Sequence, residues 1–178
     1  WVLVGVDPNA SRMSHTFINM LKTTADPRLP YLATVVTNPS VVGDKGVNDT
    51  AIQQGQPNGY DLGGGTTDIS KAPLYPGDRN KYSVVNRNTF ARKDAPTFFL
   101  THAETQLLLA EAAQRGWITT GTAADYYNAG VSAAMKQLNQ TGATPGVTDG
   151  EIATYLGANA YNPATALQQI NTQYWIAT

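Results

Sequence analysis

Cysteine is absent from this chain, which removes disulfides, thiolate metal ligands and a cysteine nucleophile in one step. Charge is scarce. Asp, Glu, Lys and Arg supply 14% of the residues, where a typical soluble domain has about a quarter. The formal net charge is −1 and no Lys/Arg cluster occurs, so the electrostatic footprint of a nucleic-acid partner is missing. No apolar run approaches the ~20 residues that a membrane-crossing helix needs. Histidine is limited to His15 and His102. A catalytic triad needs a nucleophile and an orienting acid around such a residue. His102 falls in an expected first helical turn and His15 beside an apolar helix face, so packing or exposure is the simpler role for both.

Asn, Gln, Thr and Gly fill the place left by charge. Such a surface works through neutral hydrogen bonds, as suits an extracellular or envelope protein handling neutral ligands. The 178 residues suffice for one domain with a sizeable core. The chain opens at Trp1 without a methionine or leader and stops at Thr178 inside an apolar helical pattern through Leu167, Ile170 and Tyr174. The expectation is a piece of a longer protein, with residues 1–178 forming part of a single domain truncated at both ends.

Residues 96–117, PTFFLTHAETQLLLAEAAQRGW, are the clearest helical signal. Thr101 precedes Glu104 by the spacing of a capping box, in which the threonine oxygen takes the N3 amide and the glutamate reaches back to the cap amide. Ala103, Leu107, Ala110 and Ala113 repeat at helical spacing, and Gly116 offers a stop. This predicts a helix over 101–115. A second follows over 122–140, with Tyr127, Val131, Ala134 and Leu138 on one face, and residues 116–121 close an αα-hairpin. Thr148 and Glu151 form another capping box, opening a helix through Leu156 that ends at Gly157. Asn162-Pro163 starts the last helix. Small alanines and a span near 34 residues give the hairpin the composition of a tetratricopeptide-type pair, which needs neighbouring helices to bury its faces.

Residues 1–95 differ in texture, being rich in Gly, Pro, Asn and Asp. Met13, Phe17, Met20 or Leu21, and Thr24 trace one helix face, with Ser11 as N-cap and Asp26-Pro27 as the end. Residues 31–37, YLATVVT, read as a short strand. From residue 38 to 79 the signals are turns, and an irregular stretch of that length is either functional or mobile.

Tyr60, Tyr75 and Tyr82 lie in or beside that stretch, among Asp78, Arg79 and Asn80. Aromatic faces stack on the apolar faces of sugar rings, while amide, carboxylate and guanidinium groups pair with ring hydroxyls. We take these six as candidate ligand-binding residues. The competing role is structural, with the tyrosines stapling the loop and Asn and Asp serving turns. Glu104 and Glu111 share a helix face. A glycosidase would need two carboxyls flanking a substrate, but Glu104 is explained as a capping partner and Glu111 as a tie between helices. The run from Asp61 to Asp68, DLGGGTTD, lacks the lysine of a phosphate loop and the ligand spacing of a calcium loop. It reads as an ordinary flexible loop. No catalytic residue, metal ligand or cofactor is expected.

Three separated blocks then show a resemblance. FLTHAETQLLLAEAAQRGW followed by AADYYNAGVSAAMKQL, the upstream SRMSHTFINMLKTTADPRLP, and the tail from TDGEIATYLG onward occur in the order found in the SusD/RagB family. The chain is similar to that family's SusD-like lipoprotein branch. The resemblance implies a mainly α fold of tetratricopeptide-like pairs carrying a long irregular segment. It implies a non-catalytic outer-membrane protein at the cell surface that binds glycans or other nutrients and works with a SusC-like TonB-dependent transporter. Attachment would be through an N-terminal lipid anchor outside this chain. The alternative is a helical-repeat scaffold that binds protein and no small molecule.

Overall fold

The computed structural model describes residues 11–41 and 43–178. The chain divides into two compact units, one ending at Ala95 and one spanning Pro96–Thr178.

In the first unit α1 (His15–Thr23) starts at Ser14, whose hydroxyl accepts the Phe17 amide at 3.1 Å. The expected cap, Ser11, lies too early because Ser14 forms a bridge with Gln56 that holds the chain extended up to that point. Ile18 and Leu21 are the buried residues of the helix, with Phe17 and Met20 half-buried beside them. Gly55 runs against the helix start. A Cβ there would lie 2.2 Å from the Ser14 carbonyl oxygen and 2.6 Å from His15 Cα, so only glycine lets the two backbones touch.

The YLATVVT run is mostly not a strand. Leu29–Leu32 wind into a short helix, α2, with Pro30 in its first turn, where a fixed φ and a missing N–H cost nothing. Only Ala33–Thr34 form β1, antiparallel to β2 (Val84–Val85), with Ala33 opposite Val85 and Thr34 opposite Val84. Val35 adds a single bridge to Val47.

Between those strands the chain is irregular but heavily bonded. The Arg87 guanidinium, 2% exposed, donates to the carbonyls of Pro39 (2.6 Å), Val41 (2.9 Å) and Asp44 (3.0 Å). Gln53, 1% exposed, donates to Val47 O and Asp49 O and accepts from Ser83 Oγ at 2.7 Å. Asn86 donates to Pro30 O at 2.8 Å. Buried side chains thus bond carbonyls along the irregular segment, Val47 O in addition to its bridge with Val35.

The second unit is helical. α3 (His102–Gln114) and α4 (Ala123–Gln137) form the hairpin, with Ala103, Leu107 and Ala110 facing Tyr127, Gly130, Val131 and Ala134. α5 (Asp149–Ala158) follows, then α6 (Ala166–Ala177), which packs on α3 and α4. At Gly130 a Cβ would meet Leu107 Cγ at 2.7 Å, so the two helices cross in close contact there.

Several local expectations change. Thr101 caps α3 by accepting the Glu104 amide at 3.0 Å, but the Glu104 carboxylate turns away from the cap to accept from Tyr174 Oη on α6 at 2.9 Å. A charged oxygen gains more from a phenol on a neighbouring helix than from a cap amide that water can reach. Glu111 pairs at 2.7 Å with Arg115 one turn along its own helix and ties no second helix. α4 ends at Gln137 and tightens into a 3-10 turn, Leu138–Thr141. The Thr148/Glu151 capping box is present, but α5 passes through Gly157 to an Asn159 cap. Asn162 caps a 3-10 turn, Pro163–Thr165, that leads into α6.

Candidate functional site

Tyr82 sits at the base of the candidate site. Its ring is fully buried with Ile69 and Ala72, and Tyr60 and Tyr75, half-buried, pack against that cluster. The Tyr75 and Tyr82 ring centroids are 6.3 Å apart and inclined at 57°, a tilted aromatic contact. Burial raises the Tyr82 phenol above its ordinary pKa, and the neighbouring Tyr75 and Tyr60 oxygens add to the rise. Its hydroxyl meets no hydrogen-bond partner among the described residues. Sequence reading took all three as candidate ligand-binding rings. For Tyr82 that is corrected: it is core, because the 3-10 turn before it aims the ring inward. Tyr60 and Tyr75 keep partial exposure.

That turn, Arg79–Lys81, is capped by Asp78, whose Oδ1 accepts the Asn80 amide at 2.9 Å. Arg79 Nε donates to Gln56 Oε1 at 3.2 Å. Arg12 reaches the same turn from 67 and 68 residues away, its Nε 3.4 Å from Arg79 O and its Nη2 3.1 Å from Asn80 Oδ1. Burial, followed by repulsion from Arg79 and Arg87, lowers the Arg12 pKa to about 10, with Asp78 opposing. The structure therefore brings Tyr60, Tyr75 and Tyr82 together and places Asp78, Arg79 and Asn80 on the turn directly preceding Tyr82. Arg12 and Gln56 were not anticipated. Nothing local in the sequence marks them, since their part depends on contacts many residues distant.

The glycine-rich loop closes on itself. Asp61 accepts from Gly63 N (2.9 Å) and Thr67 Oγ1 (2.8 Å), and Asp68 from Gly64 N and Ser70 N, both at 2.9 Å. Among the described residues no group of three or more His, Asp or Glu side chains is placed to hold a metal ion. No helix among them is long and apolar enough to cross a membrane. His15 and His102 are exposed at the first positions of their helices.

Loop order depends on ionised carboxylates. Backbone amides, that of Asn38 foremost, hold the Asp44 pKa below its ordinary value; Ser70 does the same for Asp68 and the Thr148 cap for Glu151. A depressed folded pKa gives stability that is present above the unfolded value, roughly 4, and lost as pH falls through the folded one. Acid titration followed by amide exchange is expected to loosen residues 38–41 with 43–46, 63–70 and 148–151 below pH ~4. In Asp44→Asn the first of these should be loose already at neutral pH.

In the second unit a groove of about 500 Å³ is lined by Phe98, Leu100, His102, Ala133, Lys136 and Gln140 among others. Phe99 beside it is 95% exposed and Trp117 71%. Sequence reading singled out neither feature.

The sequence profile of the SusD-like family, described as starch-binding and associating with the outer membrane, matches residues 5–178. Among solved structures, one named a chitin-binding protein is 32% identical with a TM-score of 0.68, covering 93% of this chain and 34% of its own. A Bacteroidetes AC2a SusD-like protein is 25% identical, TM-score 0.67, covering 94% of this chain and 40% of its own. A SusD homologue of Bacteroides fragilis NCTC 9343 is 26% identical, TM-score 0.69, covering 93% and 36%. This chain therefore spans between a third and two fifths of those relatives. No curated protein matches it.

Proposed function

The chain belongs to the SusD-like family, and from that we propose that it is part of a non-catalytic nutrient-binding protein of the outer membrane. The full-length protein holds an oligosaccharide or a similar polar nutrient at the cell surface and hands it to a SusC-like TonB-dependent transporter. A lipid on the N-terminus of the longer protein anchors it, and the two units described here belong to one domain of that protein. Support comes from the family's description as starch-binding at the outer membrane and from a relative named for chitin binding.

The observation that carries the reading is the pinned tyrosine pair. Tyr60 and Tyr75 rest on a buried Tyr82, so their rings are fixed before a ligand arrives and little side-chain entropy is lost on binding. Each offers part of a face for a sugar ring. Asp78, Arg79 and Asn80 supply acceptors and donors for its hydroxyls. Desolvation of those groups offsets much of each contact, so affinity per sugar is low.

Full-length protein on a glycan array is expected to retain at least one polysaccharide class and to release no shortened product. Tyr60→Ala or Tyr75→Ala should each weaken that binding about tenfold. Tyr82→Phe, which removes only a buried unpartnered hydroxyl, should leave affinity unchanged. Turnover of the glycan would contradict the reading.

A second reading, a protein-docking surface on the second unit, is favoured by the exposed Phe99 and the groove beside it. Loss of transporter co-purification in Phe99→Ser, with glycan binding intact, would establish that surface beside the first.

A further inference from the structure

Among the described residues two that are not glycine carry a positive φ, Ala25 at 50° and Leu74 at 60°. Ala25 follows the C-cap of α1. The bonds from Asp26 N to Leu21 O and from Ala25 N to Lys22 O close that helix in a Schellman motif, which calls for a left-handed residue there. Leu74 ends no helix. The Tyr75 amide donates to Ala72 O at 3.2 Å, so residues 72–75 form a β-turn with Pro73 second and Leu74 third. A proline followed by a positive φ is the type II pattern, in which glycine or asparagine is the unstrained third residue. A leucine is strained at that φ. Burial does not offset the strain, because Leu74 is 78% exposed.

The turn is nevertheless fixed. Gln54 Nε2 donates to Leu74 O at 2.5 Å, while the Gln54 amide donates to Ser83 Oγ and the Ser83 amide to Gln54 O. Ser83 follows the buried Tyr82, so the turn is tied to the framework on which Tyr60 and Tyr75 rest. Leu74 thus holds an apolar side chain in solvent beside Tyr75, adjacent Cα atoms lying about 3.8 Å apart. Neither core packing nor turn chemistry accounts for leucine at this position. An apolar contact with whatever Tyr75 binds does.

We infer that Leu74 selects a saccharide carrying a methyl-bearing substituent, an acetyl group or the methyl of a deoxy sugar, which rests on the leucine while Tyr60 and Tyr75 hold the sugar rings. The inference rests on the saccharide reading above and narrows it to glycans with such an apolar group. The discrimination is modest, since it scales with the small apolar area removed from water.

The test titrates full-length protein by calorimetry with two matched pairs. One is an O-acetylated xylo-oligosaccharide and its deacetylated form. The other is an L-fucosyl disaccharide and its L-galactosyl counterpart, which carries a hydroxyl on the methyl carbon. The methyl-bearing member of at least one pair is expected to bind about fourfold tighter than its partner. Which pair shows it identifies the acetyl or the deoxy group. Leu74→Asn suits the turn and removes the apolar surface, so the ratio should fall toward one while the thermal midpoint rises. Leu74→Met, which keeps an apolar side chain, should keep the ratio. Equal affinities within both pairs, a ratio unmoved by Leu74→Asn, or a midpoint lowered by that change overturns the inference. If the plain probes still bind through Tyr60 and Tyr75, the saccharide reading stands without it. Where the array retains other glycans instead, those bearing a methyl substituent should lose retention in Leu74→Asn, and retention only of glycans lacking one overturns the inference. Absence of binding by every probe, together with an empty glycan array, overturns both.

Discussion

Replacing Asp26 by alanine is expected to cost about 3–5 kcal/mol of stability, because it removes the carboxylate from a buried ion pair. Asp26 is 4% exposed and Arg28 1%. One carboxylate answers three donors: its Oδ1 accepts the Arg28 amide and Nε, both at 2.9 Å, and its Oδ2 accepts Nη2 at 2.5 Å. This places the DPRLP segment at the junction where α1 ends and α2 begins. Asp26→Asn keeps the volume but loses the charge, and should also be severe. Urea denaturation of the purified chain measures the effect. The exposed Arg92–Asp94 pair is the control. Asp94 is 76% exposed and its removal should leave the midpoint nearly unmoved. A similar result for Asp26→Ala would show that the buried pair does not hold that junction.

The second large effect lies in the helical hairpin. Leu107 is fully buried, and its side chain occupies the space that a side chain at position 130 would need. Leu107→Ala should cost about 2–5 kcal/mol, from lost burial and the cavity left behind. Gly130→Ala should gain about 1 kcal/mol of helix propensity, yet lose about 1–3 kcal/mol through overpacking, for a net loss. The 3.2 Å distance from the added Cβ to the Leu107 amide nitrogen leaves little room for relief by rotamer change alone. In the double variant the new methyl enters the new cavity. Its loss should therefore be smaller than the sum of the singles by about 1 kcal/mol or more. Strict additivity across the thermodynamic cycle would mean the two residues do not share that space.

The helical unit was legible because its signals are local. Thr101, Thr122 and Thr148 are cap residues followed by periodic apolar positions, and each caps its helix. What failed there was tertiary: Glu104 answers Tyr174, 70 residues away, instead of its own cap. The first unit was hard to read for the same reason on a larger scale. Its order comes from Arg87, Gln53 and Asn86, polar residues that pattern reading assigns to surface or turns, and here Arg87 and Asn86 are buried against distant carbonyls and Gln53 against the distant Ser83 hydroxyl. Composition placed Tyr60, Tyr75 and Tyr82 in one candidate site, but it could not tell which ring would become the floor. That depends on the turn at Arg79–Lys81 and on Ile69 and Ala72 beneath it. Arg12 and Gln56 had no local signal.

The proposed function puts recognition on the irregular segment around Tyr60 and Tyr75 and not on the helices. Hydrogen–deuterium exchange on full-length protein, with and without a saturating oligosaccharide chosen from the array, locates the footprint directly. Protection is predicted in peptides covering residues 58–62 and 73–82, with the hairpin at 102–137 unchanged. Protection confined to residues 96–103 and 129–140, with the tyrosine peptides unaltered, would contradict it.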